Sequence, residues 1–129
     1  MNPSSIGSER AVLGKAGEDL VARHLTQQGF NILARNYRKR YGEIDLIAVN
    51  RELLVFVEVK RRLRSYSGFD LSEVVSSPKQ HKMIKVAREF MARFNHDDKN
   101  CRFDVALVEG EGTDVKLTYI PHAFEGSEF

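Results

Sequence analysis

The runs GEIDLIA (42–48) and LVFVEVK (54–60) decide how this chain folds. Both are rich in β-branched and apolar residues, as strands are, and the short VNREL segment between them suits a hairpin. From Leu53 to Val57 the second run is apolar at every position, which predicts a central strand covered on both faces. Asp45, Glu58 and Lys60 interrupt this hydrocarbon with charge. Such groups cost several kcal/mol each to bury unless a partner or a metal ion compensates.

Outward from the hairpin, apolar residues at helical spacing (Leu13, Ala16, Gly17, Leu20, Val21, His24) predict a helix over 9–28, stopped by Gly29. Glu18 shares a stripe with Gly14, Val21, Ala22 and Leu25, an odd place for a carboxylate. Strands are expected at 30–36, 43–49 and 53–60. A polar loop over 61–77 follows, with one helical turn near DLSEVV. Ser77 then caps a helix that opens with Pro78, runs to about 94 and buries Met83, Ala87, Phe90 and Phe94. Strands at 102–108 and 115–120, joined by a glycine-containing turn, complete an α/β order αβββαββ: a mixed sheet with helices on its faces. At 129 residues the chain reads as a single domain, with 1–8 and 125–129 as flexible tails.

The lone Cys101 rules out an internal disulfide and is expected as a small buried thiol. No apolar run approaches the roughly 18 residues of a membrane span, and no secretory leader is evident, so the expected location is cytoplasmic with no membrane partner. Of 20 basic and 18 acidic side chains, Lys116 and five acidic residues lie beyond 108, leaving 19 against 13 before it. That excess gathers at RNYRKR (35–40), at KRRLR (60–64) and at Lys79, Lys82, Lys85 and Arg88, around the two charged strands, and suggests a polyanionic partner.

Glu58 and Lys60, two apart on one strand, project from the same face. Asp45 joins them if the hairpin loop holds two or four residues. A four-residue loop, Asn50 to Leu53, is the expected one, because Arg51-Glu52 lacks the glycine or asparagine that two-residue turns favour. That register sets Asp45 opposite Glu58 and Glu43 opposite Lys60. Two converging carboxylates suit Mg²⁺, which takes one or two carboxylates along with waters and phosphate oxygens. A structural ion pair, Glu58–Lys60 or Asp45–Lys60, accounts for the spacing equally well.

Asp45, Glu58 and Lys60 form a D-x12-E-x-K pattern that resembles the active site of the PD-(D/E)xK nuclease superfamily, which has the restriction-endonuclease-like fold. More closely, GKAGEDLVARHL, RNYRKRYGEIDLIA, LVFVEVKRR, SPKQHKMIKVAREFM and RFDVALV together resemble the YraN-like family of bacterial proteins, described as candidate endonucleases related to archaeal Holliday junction resolvases. The resemblance implies Asp45, Glu58 and the Val59 backbone carbonyl as ligands of Mg²⁺ or Mn²⁺, Lys60 as catalytic lysine, and Glu18 and Gln80 as further members of the site. It implies hydrolysis of DNA phosphodiester bonds, on branched or structured DNA in the resolvase-like branch, leaving 5′-phosphate and 3′-hydroxyl ends. Arg38, Lys39, Arg40, Arg61, Arg62, Arg64, Lys79 and Lys82 are the expected nucleic-acid contacts. Junction cutting needs two sites acting together, so a homodimer is an expectation. The competing reading is a nucleic-acid-binding or protein-interaction module that keeps the fold without turnover.

Overall fold

The structure is a computed structural model that describes residues 3–63, 70–111 and 114–126, with side chains from Lys15 onward. Helix α1 (Pro3–Gln27) leads into strands β1 (Asn31–Lys39), β2 (Gly42–Asn50) and β3 (Leu53–Arg62). A single turn, α2 (Leu71–Val74), precedes α3 (Ser77–Arg93), and β4 (Asn100–Glu111) and β5 (Asp114–Phe124) close the chain. The sheet order is β1-β2-β3-β4-β5, antiparallel throughout except for the parallel β3–β4 pair that the α2–α3 crossover makes possible. This is the restriction-endonuclease-like mixed sheet that the motifs implied.

β3 is central and covered on both faces, as its unbroken apolar run requires. Leu54 and Phe56 enter the core beneath α3 with Ile47, Met83, Val86, Ala87 and Phe90. Val55 and Val57 enter the core beneath α1 with Val21, Ala22, Leu25, Leu46 and Ala48. Stacked rings fill the α3 side: Phe56 and Phe103 have centroids 5.5 Å apart, and Phe103 and Phe124 are 4.9 Å apart.

Local signals place the helix ends. Gly29 takes φ +92°, ending α1 in a conformation other residues resist. The α3 cap is Ser76, one residue earlier than expected, its hydroxyl accepting from the Lys79 amide at 3.4 Å. Phe94 is not core but 46% exposed, because the helix ends at Arg93 and its stripe is completed by Ile84 and Val86. Ala16 also faces solvent, and Cys101 lies at the surface at the start of β4. Gly42 lets α3 approach β2 closely, since a Cβ there would stand 3.2 Å from the Lys82 Cβ.

The hairpin turn holds two residues rather than four: Asn50 pairs with Leu53 across Arg51-Glu52. Arg51 itself supplies the positive φ, +53°, that such turns demand, and the Glu52 carbonyl accepts from the Asn100 amide at 3.0 Å, tying the turn to β4. Both loop lengths give the same register parity, so the expected alignment holds from Asn50↔Leu53 to Leu46↔Val57, where the pairing ends one step short of Asp45 and Glu58.

One polar staple had no sequence expectation. Asp104 on β4 is wholly buried. It accepts from Arg102 Nε and Nη2, both at 2.9 Å, from the Tyr119 hydroxyl and from the His122 amide at 2.9 Å. Asp104→Ala leaves those donors without their acceptor and is expected to destabilise the fold by about 2–4 kcal/mol in urea or thermal denaturation. A variant as stable as the parent would show that the staple contributes nothing.

Candidate active site at a fork in the sheet

The β2–β3 ladder runs from Asn50↔Leu53 to Leu46↔Val57 and then stops. β2 continues toward Gly42 paired with β1, while β3 continues to Arg62 paired with β4. The sheet therefore forks, and the next residue on each strand is Asp45 and Glu58. The side-chain alternation of β2 breaks at the same point: Ile44 packs under α3 and Leu46 under α1, although they are two residues apart. Across on β1, Arg35 pairs with Leu46 and Tyr37 with Ile44, and Asn36 between them takes φ +50°. Asp45 thus sits edge-on in the crotch, where its Oδ2 accepts from the Val59 amide at 2.8 Å. A carboxylate serves the Val59 N–H where an intact ladder would offer a backbone carbonyl.

Glu58 is 6% exposed, and its Oε1 is ion-paired with Lys79 from the first turn of α3. The even positions of β3 face this side: Leu54 and Phe56 are core, Glu58 meets α3, and Arg62 lies 3.9 Å from Glu73 of α2. Lys60, exposed, lies between Glu58 and Arg62 on that face. The odd positions face α1, and the Arg61 side chain passes Gly17. Glu18 stands at the edge of the α1 stripe, accepting from Asn36 Nδ2 at 3.1 Å.

The electrostatics follow from this crowding. Burial is the main cause that pushes the Asp45 carboxyl up, to about 7, helped by the charge of Glu58 and then of Glu18 and Glu43, against the opposing Val59 hydrogen bond. Glu58 is also raised, by burial first, with Lys79 pulling it down. Two largely desolvated carboxylates, Glu58 raising the proton affinity of Asp45, are eased by a shared cation. Among the described residues no three His, Cys, Asp or Glu side chains gather into a metal-binding group, so these residues do not offer an all-protein cage. Two carboxylates, one of them lining a cleft, suit Mg²⁺ or Mn²⁺, which take one or two carboxylates and fill their other positions with water and other oxygens.

Around the fork lie two adjoining clefts. The inner one, about 300 Å³, is lined by Gly42, Glu43, Glu58, Ser76, Lys79 and Lys82, among others. The outer one, about 620 Å³, adds Arg38, Lys39, Arg40, Tyr41, His81 and Lys85, and shares Gly42, Glu43 and Lys82 with the inner. A basic track thus leads from the β1–β2 turn, along the start of α3, to Glu58. Within it Arg38 pairs with Glu43 at 2.8 Å, Lys39 with Glu89 at 3.2 Å, and Lys85 lies over the Tyr41 ring at 4.5 Å.

Several of the residues expected at the site sit differently from the roles foreseen for them. Glu43 does not reach Lys60, because the ladder ends before their positions meet. Gln80 donates its amide N–H to the Val75 carbonyl at 3.1 Å and so fastens the α2–α3 junction. Lys79, expected as a nucleic-acid contact, is the residue of α3 that reaches Glu58. Arg62 is turned toward Glu73, Arg61 Nε is buried without a hydrogen-bond partner among the described residues, and Arg64 lies outside them. The sequence signal for Lys79 was the Ser-Ser-Pro-Lys start of α3, which aims that first turn at the fork.

Comparison with known proteins places this geometry in a family. The profile of the Uncharacterised protein family UPF0102 matches residues 17–108, which include Glu18, Asp45, Glu58, Lys60, Lys79 and Gln80. A UPF0102 protein of Syntrophotalea carbinolica is 37% identical over 117 residues, covering 91% of this chain and 94% of the relative. Those of Synechococcus sp. and Symbiobacterium thermophilum are 42% and 44% identical, each covering 87% of this chain and 89% and 95% of the relative, respectively.

The raised Asp45 carboxyl makes the fold pH-dependent. A folded-state value above the unfolded one favours the protonated fold, so this contribution is fully present below the ordinary aspartate value of about 4 and is lost as pH rises toward about 7. Without added metal, the protein should be more stable at pH 5 than at pH 8. Asp45→Asn should raise stability at pH 8 by on the order of 2 kcal/mol and flatten the profile between those values. Equal slopes for parent and variant in denaturant melts across this range would show that Asp45 is not the titrating group.

Proposed function

The chain belongs to the UPF0102 family, and on that premise we propose that it is a metal-dependent endonuclease that hydrolyses DNA phosphodiester bonds, branched or structured DNA included. The observation that supports this most is the meeting of Asp45 and Glu58 at the fork, at the inner end of a basic track. A structural ion pair would need one carboxylate and one cation. Here Glu58 already has Lys79, yet Asp45 is held beside it with no cation of its own among the contacts described.

In this reading Asp45, Glu58 and the Val59 carbonyl hold Mg²⁺ or Mn²⁺. When bound, the ion supplies Lewis acidity toward water and phosphate oxygens. The chain supplies the rest. The Val59 amide fixes the Asp45 carboxylate so that no reorganisation is needed when substrate arrives. Lys60, exposed and two positions from Glu58 on the same face of β3, would offset the charge developing on the phosphate and orient or help deprotonate the attacking water. Glu18, tied to Asn36 across from Asp45, adds negative charge that strengthens cation binding at the fork. Arg38, Lys39, Arg40 and Lys82 line the track that the phosphodiester backbone would follow.

A panel of duplex, flap, fork and four-way-junction DNA incubated with Mg²⁺ or Mn²⁺ tests this. Asp45→Asn is nearly isosteric and should lower cleavage by orders of magnitude while DNA binding persists. Lys60→Ala should lose cleavage and also weaken binding. The enzyme reading is abandoned if the parent cuts nothing in the panel, and binding without cutting would then favour the non-catalytic module.

Binding should weaken linearly on a log–log plot against salt, as displaced counterions require. Arg40→Ala and Lys82→Ala should each flatten that slope by about one. A slope near zero in the parent would remove the polyanion partner.

A further inference from the structure

The basic track has its last cation at Lys79, and that cation is held on a carboxylate assigned here to a metal ion. Its side chain is 43% exposed, whereas that of Glu58 is only 8% exposed. The ammonium therefore approaches from the solvent side. Its backbone is fixed: the Ser76 hydroxyl caps the Lys79 amide, and Pro78 precedes it in the first turn of α3. Only the four-carbon stem is left to move. Glu58 cannot follow, being buried in β3 and flanked by Asp45.

An ammonium and a divalent cation repel each other, so an ion bound to Glu58 weakens the hold of that carboxylate on Lys79, whose Nζ lies on Oε1. An arriving ion therefore favours release of Lys79. The freed ammonium then lies in a cleft whose other cation, Lys82, opens onto Arg38, Lys39 and Arg40. Some other cations of this surface are already matched: Arg38 by Glu43, Lys39 by Glu89 and Arg62 by Glu73. Lys79 differs from these because its partner is one of the two fork carboxylates.

We propose that Lys79 is an exchangeable counter-charge. It neutralises Glu58 in the ion-free protein and turns to a substrate phosphate when the ion takes that carboxylate, so ion and phosphodiester each promote binding of the other. The inference rests on the nuclease reading for the identity of the ion. It makes Lys79 a substrate-contacting residue that offsets the Glu58 charge when the site is empty and couples substrate to cofactor when it is filled. Coupling of this kind is reciprocal and commonly spans 5- to 150-fold.

Titration calorimetry with Mn²⁺ alone, and then with Mn²⁺ in the presence of a cleavage-resistant phosphorothioate DNA duplex, tests the exchange without relying on turnover. Lys79→Met keeps most of the stem and deletes the charge. It is expected to bind Mn²⁺ about tenfold more tightly than the parent in the absence of DNA. DNA should tighten Mn²⁺ binding about tenfold in the parent but only about twofold in Lys79→Met. Lys116→Ala, which removes the same charge from β5, should match the parent in both titrations, as should its melting temperature. Should Lys79→Ala prove better folded than Lys79→Met, it serves equally, since both delete the ammonium. Mn²⁺ affinity unchanged or weakened in both Lys79 variants overturns the proposal, and so does DNA coupling of the parent size in either. A parent that cuts DNA while its Lys79 variants show no gain in Mn²⁺ affinity discards this inference and leaves the nuclease reading standing. A parent that binds neither Mn²⁺ nor DNA removes both.

Discussion

The hydrogen bond from the Val59 amide to the Asp45 carboxylate organises the rest of the molecule. An antiparallel pair normally continues until a strand ends, because every buried backbone donor needs an acceptor. Here the acceptor is a side chain, so β2 can leave β3 after Leu46↔Val57 without orphaning the amide. β2 then follows β1, and β3 follows β4. The break lets Ile44 turn into the core beneath α3 while Leu46 stays beneath α1. It also opens the space that the start of α3 fills with Lys79.

Negative charge concentrated at such a point works against folding. Asp45 and Glu58 are both pushed toward protonation by burial, and the chain offsets part of that cost with Lys79. Stability is recovered elsewhere: by aromatic stacking from Phe56 through Phe103 to Phe124, and by Asp104, which accepts two hydrogen bonds from Arg102 within β4 and two, from Tyr119 and the His122 amide, that fasten β4 to β5. The two buried acids make a useful contrast. Asp104 is saturated with donors and rigidifies its half of the sheet. Asp45 has the Val59 amide and otherwise faces like charge, and burial among those carboxylates pushes it toward protonation.

Much of the architecture was legible in the chain. The continuous apolar run of β3 marked a strand covered twice, and Gly29 marked the end of α1. The parity of the hairpin register was legible too, although the turn uses Arg51 at positive φ and not a longer loop. Where the sequence misled, the cause was local. Adjacent serines left the cap position of α3 ambiguous by one residue. Phe94 continued a helical stripe beyond the point where the helix stops. Gln80 and Lys79 are neighbours, yet a helix turns about 100° per residue, so one reaches the Val75 carbonyl and the other reaches Glu58.

Sequence by itself determined the inventory of the site: which acids interrupt apolar strands, which lysine follows two positions on, and where basic residues cluster. These follow from alternation and helical period, which act over a few residues. Only the tertiary structure decided that the sheet forks at Asp45, that Glu43 is drawn to Arg38 and not to Lys60, and that Lys79 occupies the Glu58 carboxylate. Alternation presumes that pairing continues. The end of a ladder is set by a side chain competing for one backbone amide across strands, an energy that no single segment contains.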